Sequence, residues 1–268
     1  MKEGYLESRG ISYRVSKLRP GIQTLVFIHG LTGSASAWYE YETRFERQFN
    51  VLTMDLRGHG LSKKHRNLGD YAISEMTKDI SELLRFLDVT DHIIIAHSLG
   101  TLMAVELSAA SIKPVPMILM SANYDIQNIM ARRLIQPACL LASALYRVLP
   151  FSGNIPGRTD YAAYKGTGDW NVRRIFADIR NATLRVYLFC NIHVYNFNRE
   201  DVWKATNARI LIVHGEKDSV VPVDNAIRLS KIMPNSKLEV IKSANHILVL
   251  NNEKEISSLI TRFAQSIC

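Results

Sequence analysis

The chain has 268 residues, with 33 Lys and Arg against 25 Asp and Glu for a net charge of +8, and is 47% apolar and 22% charged. That balance is globular rather than disordered or fibrous, and a chain of this length buries roughly 70–75% of its unfolded surface without staples. Three scattered cysteines, Cys139, Cys190 and Cys268, have neither metal-ligand spacing nor the even count of a disulfide framework, so free thiols in a reducing cytoplasm are expected.

Tyr5 to Val15 alternates loosely around Arg9-Gly10, as a hairpin does. Gln23–Ile28 is a continuous apolar run, the pattern of a strand covered on both faces. It ends in the turn-rich His29-Gly30-Leu31-Thr32-Gly33-Ser34. A helix follows with Trp38, Tyr41, Phe45 and Phe49 on one stripe. Asn50–Met54 is the next strand, closed by Asp55-Leu56-Arg57-Gly58-His59-Gly60-Leu61-Ser62. Ile73 to Leu87 is helical, with Ile80, Leu83, Leu84 and Leu87 apolar. His92 to His97 reads as a strand, Thr101 to Leu107 as a helix, and Pro116 to Ser121 as a buried strand. The rhythm then breaks. Residues 123–205 read as helices and loops: Ile126 to Leu149, Tyr161 to Tyr164 and Asn171 to Phe197. Strands resume at Ala208–Gly215 and Lys237–Ile241, with helices over Asp224–Met233 and Glu253–Ile267.

Alternating strands and helices imply an α/β fold, a mostly parallel sheet with helices on both faces and an antiparallel edge from the leading hairpin. The core spans 1–122 and 206–268. Residues 123–205 form a helical cap inserted over the carboxyl ends of the strands, where such sheets bind ligands.

Ala96-His97-Ser98-Leu99-Gly100 places a hydroxyl at the apex of a strand–turn–helix, the build of a nucleophile elbow, with Ala96 where the motif has Gly. The bland alternative is an ordinary turn with a capping Ser. The context bears on the choice. His29-Gly30, Asp55-x-Arg57-Gly58-His59-Gly60-x-Ser62, the Ser98 elbow, and His214-Gly215-Glu216-Lys217-Asp218 with a later Asn245-His246 fall in one order. On these residues, from about Thr24 onward, the chain resembles the α/β-hydrolase superfamily, in particular lidded carboxylesterases and monoacylglycerol lipases. The resemblance implies the order Ser, acid, His: Ser98 as nucleophile, Asp218 as acid and His246 as general base. It also implies oxyanion donors at the backbone N–H groups of Leu99 and Leu31; for Leu31, core packing is the rival reading.

The residue types suit that chemistry. A Ser hydroxyl needs an adjacent base to attack, and the base needs a group that fixes its tautomer. Glu216 and Asp224 flank Asp218, and Asp125 occupies the alternative acid position of some relatives. His97 reads as packing, because its position beside Ser98 sends its side chain elsewhere. His29 and His59 read as loop-orienting, His214 as the end of a strand, His65 and His92 as structural or exposed, and His193 as part of the cap. Asp55 and Arg57 read as loop-fixing. Gly58-His59-Gly60 lacks both the Lys of a P-loop and the third Gly of a dinucleotide turn, so no cofactor is expected, and no metal.

Residues 124–208 hold 11 Lys and Arg against 6 Asp and Glu, so the positive excess sits mainly in the cap. With no basic run interleaved with aromatics, this reads as a solvated face rather than a nucleic-acid surface. Arg132, Arg133, Arg173 and Arg174 are expected to face solvent. The uncharged run Leu134 to Tyr146 is too short to span a bilayer and is expected to share between roofing an acyl pocket and packing on the core. No signal peptide or integral membrane segment is expected. The expected function is hydrolysis of carboxylic esters with small to medium acyl chains through an acyl-enzyme. A thioesterase, a carbon–carbon bond hydrolase and a non-catalytic receptor of the same fold are the alternatives. The natural substrate and self-association are left open.

Overall fold

The computed structural model describes residues 1–122 and 156–267, with Pro137, Leu140, Leu141 and Ala144 between them. Strands β1 (Lys2–Leu6) and β2 (Ile11–Val15) form the expected hairpin. β3 (Thr24–Ile28), β4 (Asn50–Met54), β5 (His92–His97), β6 (Met117–Met120), β7 (Ile210–Gly215) and β8 (Ser236–Ile241) complete an eight-stranded sheet ordered β1-β2-β4-β3-β5-β6-β7-β8. β2 meets β4 antiparallel, and every pairing from β4 to β8 is parallel.

Buried β-branched and aliphatic residues explain the strands. β3, β4, β6 and β7 are buried along their whole length because helices cover both faces. On one face Phe27 packs against Trp38, Tyr41 and Phe45, with ring centroids 5.1, 5.9 and 6.4 Å away. The closing helix Glu253–Gln265 adds Ile256 and Ile260 to this cluster. On the other face lie Met76, Ile80 and Leu83 of helix Ile73–Phe86 and Leu102 and Met103 of helix Leu99–Ala110. The aromatic stripe expected on one helix divides between a 3₁₀ turn, Ala35–Trp38, and helix Tyr39–Phe45, with Phe49 beyond both.

The stretch Asn171 to Phe197 is two helices, Val172–Ala182 and Leu184–Asn196. They break at Thr183, whose φ of 81° is left-handed. The Asn171 and Thr183 side chains each accept from a backbone N–H of the helix that follows, the capping that turn-forming residues favour. A short helix, Glu200–Ala205, leads back to β7. The inserted segment is tied to the sheet near Arg158, which donates to Asp55 at 2.8 Å and to Glu3 at 2.7 Å, while Ser36 Oγ donates to the Thr159 carbonyl. Most of the apolar run Leu134 to Tyr146, with Arg132 and Arg133, lies outside the described residues. Leu140 and Leu141 are exposed. Among the described residues no helix is long and apolar enough to cross a membrane.

Candidate active site

The site is built where β3, β5, β6 and β7 end. β5 stops at His97, and Ser98 turns the chain into helix Leu99–Ala110 with φ 48° and ψ −115°. A non-glycine residue holds such a conformation only where its surroundings over-determine it. Here the Ser98 N–H donates to the Met120 carbonyl at 2.9 Å, and its own carbonyl accepts from Thr101 N and Oγ1. Gly100 lets the helix start against β3: a Cβ there would stand 2.8 and 2.9 Å from the Ile28 and His29 carbonyl oxygens. Ala96 is fully buried behind the turn. Thr32 and Ser121, which follow β3 and β6, also hold left-handed φ values of 60° and 48°.

His246 follows β8, and all its polar groups are engaged. Nε2 accepts from Ser98 Oγ at 3.1 Å, and Nδ1–H donates to Asp218 Oδ2 at 2.8 Å. Its backbone N–H donates to Asp169 Oδ1 at 2.8 Å, and its carbonyl accepts from His97 Nε2 at 2.8 Å. Asp218, three residues past β7, turns its second oxygen to the N–H groups of Val220 and Val221 at 2.9 and 2.8 Å. Burial opposes ionisation of this carboxyl. The hydrogen bond and charge of His246, aided by the Val221 N–H, outweigh it and hold Asp218 below the usual carboxylate range. Buried His214 donates Nε2–H to the Val221 carbonyl at 2.9 Å and stands 3.4 Å from Asp218 Oδ2, the oxygen that His246 holds.

The loop after β3 presses on the elbow. A Cβ on Gly30 would stand 2.8 Å from His97 Nδ1 and 3.2 Å from Ser98 Cβ. His29 accepts the Leu56 N–H at Nε2, so its proton is on Nδ1 and is donated to the Gly30 carbonyl. Leu99 occupies the first helical position, where an N–H has no partner within the helix. Among the described residues neither the Leu31 nor the Leu99 N–H donates a hydrogen bond.

Other sequence candidates lie elsewhere. Asp55 receives Ala35 N, Leu61 N and Arg158 Nε, and Arg57 is paired with buried Asp79. Both hold loops. Glu216 accepts the Ser243 N–H, and Asp224 is exposed at a helix start. Asp125 lies outside the described residues. His59 is buried on the Arg57 carbonyl, His193 reaches the Leu68 carbonyl, and neither bonds to Ser98, Asp218 or His246.

A family model for the α/β hydrolase fold matches residues 23–253. The chain belongs to the α/β-hydrolase fold family. It is 28% identical over 269 residues to an uncharacterized protein of Mycobacterium tuberculosis, covering 94% of this chain and 77% of that one. It is 23% identical over 268 residues to an uncharacterized hydrolase of Bacillus subtilis, covering 91% of this chain and 90% of the other. Among solved structures, one from work on carboxylesterases of Nitrososphaera gargenis superposes with a TM-score of 0.72 at 17% identity, over 99% and 98% of the two chains. At that identity the likeness is one of fold.

In this α/β hydrolase Ser98 and His246 open onto a cavity of about 540 Å³, the size of small-ligand sites. Leu31, Trp38, Val249 and Leu250 line it from one side, and Ile175, Ile179, Tyr187 and Val194 from helices Val172–Ala182 and Leu184–Asn196. Its polar lining groups include Arg174 and Asp178, paired at 2.9 Å. Arg174 therefore does not face solvent as expected: Asp178 and the Asp169 carbonyl hold it against the cavity, leaving its side chain 13% exposed. Burial raises the Asp178 carboxyl, with Arg174, Tyr161 and Thr159 working against that rise. The described residues contain no group of three or more His, Cys, Asp or Glu able to hold a metal.

Two contributions to the site carry no sequence signal. His97 points away from the nucleophile, as strand alternation requires, yet its far nitrogen reaches the His246 carbonyl, 149 residues away. Asp169 comes from the inserted segment; Oδ1 takes the His246 N–H, and Oδ2 takes both Ser219 N at 3.0 Å and Ser219 Oγ at 2.7 Å. In the sequence it is one acid shortly before a helix.

Proposed function

We propose that this α/β hydrolase cleaves carboxylic esters of small to medium apolar acyl groups through an acyl-enzyme on Ser98. The observation that carries the reading is the hydrogen-bonded chain Ser98 Oγ–His246 Nε2, His246 Nδ1–Asp218 Oδ2, at 3.1 and 2.8 Å. Nucleophile, base and tautomer-fixing acid are all within reach of one another.

In this reaction Ser98 Oγ attacks the ester carbonyl carbon while His246 Nε2 takes its proton. Asp218 keeps the other ring proton on Nδ1 and stabilises the imidazolium. The carbonyl oxygen becomes an oxyanion facing the Leu31 and Leu99 N–H groups; removal of one such donor typically costs about 10²–10³ in rate. Collapse expels the alkoxide, which takes the proton from His246, and leaves an acyl group on Ser98. Water, deprotonated by His246, then releases the acid and restores the Ser hydroxyl. The apolar cavity wall supports an apolar acyl group.

Hydrolysis of p-nitrophenyl esters of graded chain length, with labelling by a fluorophosphonate, tests the proposal. Turnover should be lost in Ser98→Ala, and mass spectrometry should find the phosphonyl group on Ser98 alone. Labelling at another residue, or undiminished turnover in Ser98→Ala, would sink it. A thioesterase would prefer acyl thioesters in the same panel, and a pure receptor would bind without turnover.

A further inference from the structure

The base and acid loops are gripped from outside the core by one carboxylate. Asp169 is buried, and its two oxygens divide between the loops: one on the N–H of His246 itself, the other on Ser219, the residue after Asp218. Three donors converge on this carboxylate, two of them backbone N–H groups. Neighbouring contacts make the same span. Trp170 Nε1 donates to Ser219 Oγ at 2.9 Å, and Asn245 and Asn251 donate to the Thr167 carbonyl at 3.0 and 2.9 Å. Within the core, the two loops are joined beside the triad by Lys217 N–H on the Ala244 carbonyl at 2.8 Å. Arg174 Nη2 anchors the Asp169 carbonyl at 2.7 Å.

We propose that Asp169 is a positioning residue for the triad. It sets the distance between the loops bearing Asp218 and His246, and so keeps His246 Nε2 on Ser98 Oγ. It touches no reacting atom. Its influence passes through the main chain of His246, whose carbonyl His97 holds from the other side. Removing the carboxylate leaves the base held at its carbonyl and its ring but free at its N–H. A misplacement of about 1 Å at such a base costs on the order of 10²-fold in rate. The kinetic part of this proposal rests on Ser98 being a nucleophile activated by His246; the structural part, that Asp169 maintains the His246–Asp218 bond, does not.

The test uses Asp169→Ala and Asp169→Asn in the full chain, with folding checked by near-UV circular dichroism. Asn retains one acceptor for one loop, so the expected order is wild type, then Asn, then Ala. For p-nitrophenyl esters, kcat should fall about 10²-fold in the Ala variant while KM changes little, the split expected when an interaction is made only in the transition state. Phosphonylation of Ser98 should slow in parallel. The far-downfield proton of His246 Nδ1, assigned by its loss in Asp218→Asn, should weaken or exchange faster in both Asp169 variants, a change that simple loosening of the inserted segment would not produce. A folded Asp169→Ala with wild-type kcat, or with an unaltered downfield proton, overturns the proposal. If wild type neither turns over esters nor reacts with phosphonate, the hydrolase reading fails, and the proton signal alone decides on Asp169. If the Ala variant does not fold, Asp169→Asn decides by the same two readouts.

Discussion

Acidification should unfold this protein through its buried histidines, before its carboxylates are neutralised. His29, His59 and His97 are almost fully buried. Burial is the main cause that pushes His29 down to about 4 and His59 and His97 down to about 3, aided by Arg158 at His29, by His29 at His59 and by His246 at His97. In the unfolded chain each titrates near 6.5. Below that value the unfolded state binds protons that the folded state refuses. The stability these groups contribute is whole above pH 6.5 or so and drains as pH falls toward the folded values. Between pH 7 and pH 5 each loses about 2 kcal/mol, so the three together lose about 5 to 6 kcal/mol, a large share of the roughly 5–15 kcal/mol of a typical domain. His65, His92 and His214 are lowered in the same direction by burial and add to the effect. Asp178, raised by burial, opposes it at the acid end. Urea unfolding at half-unit steps from pH 7.5 to pH 5, at constant ionic strength, should show a slope steepening to about 4 kcal/mol per pH unit. His59→Asn, whose amide can still donate to the Arg57 carbonyl, should reduce that slope by about a third. A flat stability profile between pH 7 and pH 5 would show that these imidazoles protonate in the folded state, and would refute the reasoning.

Asp218→Asn should leave the protein folded and lower kcat by up to about 10⁴-fold, because the amide cannot hold the imidazole tautomer, as measured on a short p-nitrophenyl ester. Gly100→Ala should destabilise by roughly 1–3 kcal/mol in urea, since its methyl meets the Ile28 and His29 carbonyl oxygens at 2.8 and 2.9 Å. Along an ester series, each methylene buried in the cavity should raise kcat/KM roughly fourfold until the wall is reached, from about 0.8 kcal/mol per methylene. Ile179→Gln should flatten that rise for long acyl chains and spare acetate.

The core was legible because its strands are unambiguous. Thr24–Ile28 and Ile210–Gly215 are buried on both faces, and such runs leave one architecture when helices alternate with them. The chain order of Ser98, Asp218 and His246 was equally plain, and the three meet in the structure. What the sequence hides depends on partners far along the chain. Asp169 lies 77 residues from the N–H it holds. Arg174 reads as a surface cation because its partner Asp178, one helical turn on, is buried only once helix Val172–Ala182 packs. The break at Thr183 was invisible because apolar residues continue on both sides of it.

The left-handed residues at the carboxyl edge of the sheet bear on how this chain can change. Ser98, Thr32 and Ser121 each hold a φ that L side chains avoid, at roughly 1–3 kcal/mol apiece. All three follow strands that end around the nucleophile. Glycine at any of them would relieve strain, so this edge is where a search for heat-stable variants should find its easiest gains. At Ser98 the gain removes the hydroxyl that meets His246, and with it the proposed nucleophile. At Ser121, buried and with its hydroxyl unpartnered, a Gly variant should melt higher at no chemical cost. At neighbouring strand ends, then, the same backbone strain is removable at Ser121 but at Ser98 is tied to the hydroxyl that meets His246.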